Sequence, residues 1–233
     1  MKCTQLYDFH SHFPAPNAIY CTAFPSAYGI PGDNRPIPQF SEEDVLMHFE
    51  GLLPQYWTPQ RNEALERILE SAPVGRPIHL GEVGIDRRFE STMPLEIQYR
   101  NLVSLLRYAR SLGRKVTIHS VRATEPTLKA LAEVKFPQSS VLWHGFTGSK
   151  ETAAQLRRLG ISIGIGPRFR GDLRSVVEAN PSWAIETDYE GTDENQYNGI
   201  LSELYRSVAD RLGLDVEKVE EHCCGQAKAF ADK

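Results

Sequence analysis

The sequence predicts an α/β chain folded as a distorted (β/α)8 barrel, with the helix between its second and third strands missing. Three observations predict it. Short apolar segments alternate with amphipathic stretches at helical spacing along most of the chain, the pattern of a parallel sheet with helices outside it. The strand count comes to about eight, which favours a barrel over a doubly wound sheet. Finally, histidines and carboxylates recur at successive strand ends, where barrels of this kind carry their chemistry.

The elements follow in order. Leu6 and Tyr7 lead into Asp8-Phe9-His10-Ser11-His12, a short strand stopped by Phe13-Pro14. Residues 18–22 form a second strand. Residues 24–40 are rich in Pro and Gly without helical period and read as a long loop. Residues 45–53 make a third strand ending at Pro54, although Ser41 is a fair N-cap for a short helix over 42–49. Leu65, Ile68 and Leu69 share one face of a helix over 59–70. Residues 78–86 are a buried strand running into a loop. A long helix follows from about Pro94 to Gly113, with Leu95, Tyr99, Leu102, Leu105, Leu106 and Ala109 in register. Strands over 115–119 and 140–144 each end in a histidine, separated by a helix over 124–133 with Pro126 in its first turn. A helix over 150–159 stops at Gly160. Strands over 161–165 and 183–188 come next, the second ending in a carboxylate, and helices over 200–212 and 216–231 close the chain. With no composition break, residues 1–233 read as one barrel domain.

Composition narrows the function classes. The formal net charge is −4, so no general basic field exists to hold nucleic acid by phosphate neutralisation. No apolar run is long enough to span a bilayer and the N-terminus lacks a basic-then-apolar signal, which points to the cytoplasm and to no membrane partner. Cys3, Cys21, Cys223 and Cys224 show no CxxC spacing, so neither a zinc knuckle nor a redox pair is indicated. The adjacent Cys223 and Cys224 are expected to pack rather than to pair.

Alternation along a strand turns Asp8, His10 and His12 the same way, and two imidazoles two residues apart can hold one cation. A lone HxH is more often accidental. Here Glu82, His119, His144 and Asp188 also fall at strand ends. Each alone would more often be a hydrogen-bonded core residue or an ion-pair partner; their recurrence is what those readings explain poorly. Four of the seven histidines belong to this set, leaving His48, His79 and His222 as structural or surface residues.

Taken together, Asp8-Phe9-His10-Ser11-His12, Gly81-Glu82-Val83-Gly84-Ile85-Asp86, Ile118-His119-Ser120, His144-Gly145-Phe146-Thr147-Gly148 and Glu186-Thr187-Asp188 resemble the TatD family of metal-dependent hydrolases, within the amidohydrolase superfamily. The resemblance runs from residue 6 to residue 230. It implies a binuclear site with two divalent metal ions, whose identity among Zn, Mg, Mn, Ni and Fe the ligands leave open. His10, His12 and Asp188 would bind one ion, His119 and His144 the other, and Glu82 would bridge. Such a pair suits deoxyribonuclease-like cleavage of a phosphodiester by an activated water. Asp188 would be the catalytic base, Asp8 a positioning group, and Glu186 a structural residue pointing away. Arg122, three residues past His119, would contact the substrate phosphate if its loop turns inward, and is otherwise a surface arginine. The alternatives are hydrolysis of another ester, an amide or a lactone, and a metal-binding scaffold without catalysis.

The chain departs from that family in several places. Gly51-Leu52-Leu53-Pro54-Gln55-Tyr56-Trp57 stands where a substrate-contacting His is usual, Tyr189 replaces the usual Pro after Asp188, and Gly225 stands where an Asn is usual. The loop over 24–40 and the pair Tyr56-Trp57 are therefore expected to border the pocket mouth. The expected partners are DNA or a small phosphodiester, with strand ends preferred over internal duplex sites, and no obligate protein partner. With few basic residues, DNA binding is expected to show a shallow salt slope.

Overall fold

A computed structural model of the chain describes residues 5–22, 41, 45–72 and 75–231. Among the described residues eight strands form one sheet: β1 (Asp8–Ser11), β2 (Ala18–Cys21), β3 (Met47–Glu50), β4 (His79–Asp86), β5 (Val116–Val121), β6 (Val141–Trp143), β7 (Ser162–Ile165) and β8 (Trp183–Ile185). Their spatial order is their chain order, and every neighbouring pair is parallel. Just beyond β8 the chain meets β1: Asp188 N donates to His10 O at 2.9 Å, and His12 N donates to Tyr189 O at 2.9 Å. The sheet is thus a nearly closed (β/α)8-type barrel.

Seven α-helices accompany the described strands: α1 (Pro59–Ser71), α2 (Leu95–Ser111), α3 (Thr124–Val134), α4 (Lys150–Arg158), α5 (Leu173–Ala179), α6 (Glu194–Leu212) and α7 (Val216–Ala231). Their ends follow local chemistry. Thr58 caps α1 by accepting from Arg61 N, and Gly113, at φ 66°, lets Arg114 N return to Ala109 O at 2.8 Å after α2. Residues 12–17 join β1 to β2 without a helix. The stretch between the second and third strands, where a loop is expected in place of a helix, falls mostly on 23–40 and 42–44, outside the described residues. Of the alternative helix over 42–49, the described part contains strand from Met47 onward.

Two helices differ from expectation. α5 is not foreshadowed by a long apolar period: its seven residues bury only Leu173 and Val176, and Asp172 caps it by accepting from Ser175 N. α6 begins at Glu194, six residues before the apolar register starts, because Asp193 accepts from Gln196 N.

The main core lies between strands and helices, with Leu80, Ile85, Leu102, Leu106, Ile118, Leu131, Ile163 and Leu201 all almost fully buried. Each such side chain contributes about 1.5–3 kcal/mol on burial. A smaller cluster brings Phe9, Ile19, Cys21, Phe49, Leu142 and Ala184 from five strands together with Ala227 and Phe230 of α7. Cys21, Cys223 and Cys224 are buried and form no disulfide among the described residues, so the adjacent pair packs as the sequence suggests. Tyr56 and Trp57 are half-buried against the main core, and Trp57 lines a small cavity with Gly84, Met93, Gln98 and Leu105.

Candidate metal centre

Three strands and three strand-end segments bring the six predicted ligands to one end of the barrel. His10 lies in β1 and His12 one residue after it. Glu82 lies within β4, His119 within β5, His144 one residue after β6, and Asp188 three residues after β8. Asp188 has φ 52°, a left-handed conformation that Asp tolerates better than most residues. Two glycines permit the close approach. A Cβ at Gly84 would lie 1.7 Å from His119 O, and one at Gly51 would lie 2.1 Å from Glu82 O. β4 therefore lies tight against both neighbouring strands.

Glu82 divides the site. Its Oε1 lies 3.2 Å from His10 Nε2 and 3.1 Å from His12 Nε2. Its Oε2 lies 3.1 Å from His119 Nδ1 and 2.9 Å from His144 Nε2. Asp188 Oδ1 joins the first pair, 3.7 Å from His10 Nε2 and 3.5 Å from His12 Nε2. Two groups result, His10–His12–Glu82–Asp188 and Glu82–His119–His144. In each, one ligand atom per residue lies within 4.8 Å of all the others. Nitrogen and carboxylate donors at this spacing suit a first-row divalent cation in each group.

Backbone and carboxylate partners orient the rings. His12 Nδ1 donates to Cys21 O at 2.7 Å, which turns Nε2 toward the centre. His119 Nε2 lies 3.2 Å from Asp86 Oδ2, which leaves Nδ1 for the centre. Asp86 is held in turn by Arg88 Nε at 3.0 and 2.9 Å. A carboxylate behind a ligand histidine fixes its tautomer and raises its basicity. His10 Nδ1 lies 3.3 Å from Cys21 Sγ.

The titration of these groups reflects the same contacts. Burial alone would lower His12 and His119. The carboxylates of Asp188 and Glu82 outweigh it at His12, raising that ring to about 10; Asp86 and Glu82 raise His119 to about 9. His10, buried beside His144, is pushed down to about 4. Glu82 and Asp188 are held below the usual carboxylate range despite burial, Glu82 chiefly by His144 and His10, Asp188 by His12 and His10. Both carboxylates are therefore ionised at neutral pH.

Three neighbours depart from expectation. Asp8 does not share the direction of His10 and His12. Its Oδ1 accepts from Thr187 N at 2.9 Å and its Oδ2 from Thr187 Oγ1 at 2.6 Å. The pairing of β1 with β2 is irregular between Asp8 and Ser11, so strict alternation fails there. Asp8 still positions the site, since Oδ1 also accepts from His10 N at 3.1 Å. Glu186 does not point away either. It is fully buried, accepts from Gly145 N, and brings Oε1 within 3.9 Å of His144 Nδ1. Burial, then the charge of Asp188, pushes its carboxyl well above the ordinary range. Arg122 is exposed on the loop after β5 at φ 54°, and among the described residues it makes no ion pair with the six.

Sequence reasoning missed Asp86 as the partner of His119, although it stands at the end of the same strand as Glu82. It also missed Arg168, which follows β7 and donates through Nη2 to Asp188 Oδ2. Loops at this end carry Arg87 and Arg88 after β4, Arg122 after β5, and Arg168 and Arg170 after β7, all exposed. Five arginines thus lie on loops at this end of a chain whose total charge is negative. His48, His79 and His222 lie outside the centre. His48 bonds Thr22 and Glu50, His79 Nδ1 accepts from Lys115 N, and His222 stacks on Trp183.

A parallel barrel with two adjoining histidine–carboxylate groups at the C-terminal ends of its strands defines the class: a hydrolase that works with metal. Residues 35–231 match the family described as TatD related DNase, and the chain belongs to the TatD family of metal-dependent hydrolases. It is 29% identical over 170 residues to the uncharacterized metal-dependent hydrolase YjjV of Escherichia coli, a match covering 64% of each protein. The crystal structure of YjjV superposes with a TM-score of 0.75 at 20% identity, covering 100% of both chains. A human relative, the 3'-5' RNA nuclease TATDN2, is 23% identical over 125 residues, 54% of this chain and 16% of its own length. By sequence, the chain thus spans less than two thirds of YjjV and a small part of TATDN2. Among the described residues no helix is long and apolar enough to cross a membrane.

Proposed function

We propose that the chain hydrolyses phosphodiester bonds in nucleic acid, with DNA as the first substrate to test, at a pair of divalent cations. The observation that carries this reading is the division of Glu82, with one oxygen facing His10 and His12 and the other facing His119 and His144. His10, His12 and Asp188 would hold one cation, His119 and His144 the other, with Glu82 common to both. The DNase description of the family and the RNA nuclease activity named for TATDN2 support a nucleic-acid substrate.

When bound, two such cations supply Lewis acidity to a phosphoryl oxygen and lower the pKa of water enough to make it a nucleophile near neutral pH. The side chains contribute the rest. The His12–Cys21 and His119–Asp86 bonds fix which ring nitrogen each histidine presents, so the donors are in place before substrate arrives. Asp188 remains ionised, and its Oδ1 faces the His10–His12 pair, where it would accept the proton of the attacking water.

The test is protein purified without chelator, assayed on a short single-stranded DNA and a small chromogenic phosphodiester. Hydrolysis that chelator abolishes and a divalent cation restores is the expected result. A protein that binds metal yet cleaves neither substrate with any divalent cation would refute the reading.

A further inference from the structure

We propose that Arg168 is the specificity-determining residue of this centre, holding a phosphate oxygen of the substrate and so selecting anionic esters over neutral ones. The inference rests on the hydrolase reading above and adds the substrate contact that reading lacks.

Three observations point to it. First, the loop carrying Arg168 is fixed. Phe169 is 2% exposed, Phe169 N donates to Gly166 O at 3.1 Å, and Arg211 of α6 places its guanidinium 5.2 Å from the Phe169 ring centre. Arg211 also donates to Phe169 O at 3.2 Å and to Gly171 O at 2.7 Å, while Arg170 donates to Pro167 O at 2.5 Å. Arg170 and Arg211 are thus committed to the loop's own carbonyls, and Arg168 reaches the centre. Secondly, Arg168 contacts a ligand of one group and lies near the turn that follows a ligand of the other. It donates to Asp188 Oδ2, the oxygen opposite the one facing His10 and His12, and a Cβ at Gly145 would lie only 3.9 Å from its Nη2. The guanidinium therefore lies beside the turn that follows His144. Thirdly, its side chain stays 67% exposed with Asp188 already engaged, so further N–H donors of the planar fork face solvent.

The charge balance explains why a bare ion pair is an insufficient account. Arg168 is the exposed partner of an otherwise shielded carboxylate, and its free donors gain little from that pair alone. A guanidinium next to a carboxylate that takes a divalent cation is repelled once that cation binds. An anion lying between guanidinium and cation removes the repulsion and satisfies the remaining donors, as a phosphate does in bidentate contact with arginine. A neutral ester, lactone or amide cannot.

The experiment compares wild type, Arg168→Gln and Arg168→Lys, all metal-loaded, by binding of inorganic phosphate and by kinetics on a small phosphodiester and an uncharged aryl ester. Arg168→Gln is expected to weaken phosphate binding and raise KM for the diester by about tenfold to a hundredfold. Metal content should be retained, kcat/KM should fall by a larger factor on the diester than on the uncharged ester, and Arg168→Lys should recover part of the phosphate affinity. Unchanged phosphate affinity in Arg168→Gln would overturn the proposal. So would loss of metal, or an equal fall in kcat on both esters, since either would make Arg168 only a support for Asp188. The binding arm needs no turnover. A protein that hydrolyses nothing but binds phosphate through Arg168 would refute the hydrolase reading, and with it the ester selectivity, while supporting the phosphate contact.

Discussion

The two ends of strand β4 set histidines in opposite environments. At its start His79 is buried, and burial followed by the charges of Lys115 and Arg114 pushes its pKa down to about 3. Near its end the carboxylates of Glu82 and Asp86 face His119, which rises to about 9 although it is also mostly shielded. Burial thus does not separate His79 from the candidate ligand His119. For these two rings the difference is the sign of the charge each faces: cations at one end of β4, shared carboxylates at the other.

The comparison breaks most severely at Glu82. Glu82→Ala removes the one carboxylate common to both groups, so metal content should fall and hydrolysis should disappear, as read by metal analysis and a phosphodiesterase assay. Asp188→Asn should leave the fold intact and cost roughly 10³–10⁴ in rate, since it removes a ligand charge and the proton acceptor together. A rate near wild type would exclude Asp188 as the base. Asp86→Asn frees the His119 ring and should cost about tenfold to a hundredfold in metal affinity or rate. At the other end, His79→Phe should leave metal affinity unchanged. It strips Lys115 N of its acceptor, so thermal unfolding should register a loss of about 1–3 kcal/mol.

The smallest effect is the pH profile of stability. His79 folds with a lowered pKa, so its contribution is present above about 6.5 and is lost as pH falls toward 3. His12 and His119 fold with raised values. Their contribution is present below about 6.5 and is lost as pH rises through about 9 to 10. Metal-free protein should therefore lose Tm on both sides of neutrality. Saturating divalent cation should flatten the alkaline limb alone, because neutral imidazole is the ligand form. An alkaline limb that persists with metal would contradict the assignment of His12 and His119.

The barrel was legible because each strand is a short apolar run bounded by turn residues, as at Val141-Leu142-Trp143. The six converging side chains were legible because a parallel barrel puts strand ends together whatever their separation in sequence. α5 and the start of α6 were not, since capping aspartates rather than an apolar period begin them. Asp8 was misdirected because alternation cannot reveal the irregular pairing within β1. Arg168 carried no signal of its own: only the fold brings a loop after β7 against a carboxylate after β8.

The central claim is that Glu82 joins two cation sites. It is tested most directly by titrating chelator-treated protein with a divalent cation and counting equivalents, in wild type and in Glu82→Ala. Two equivalents in wild type, with both sites weakened by the single substitution, is the result this account predicts. One equivalent in wild type, or two that survive in Glu82→Ala at unchanged affinity, would contradict it.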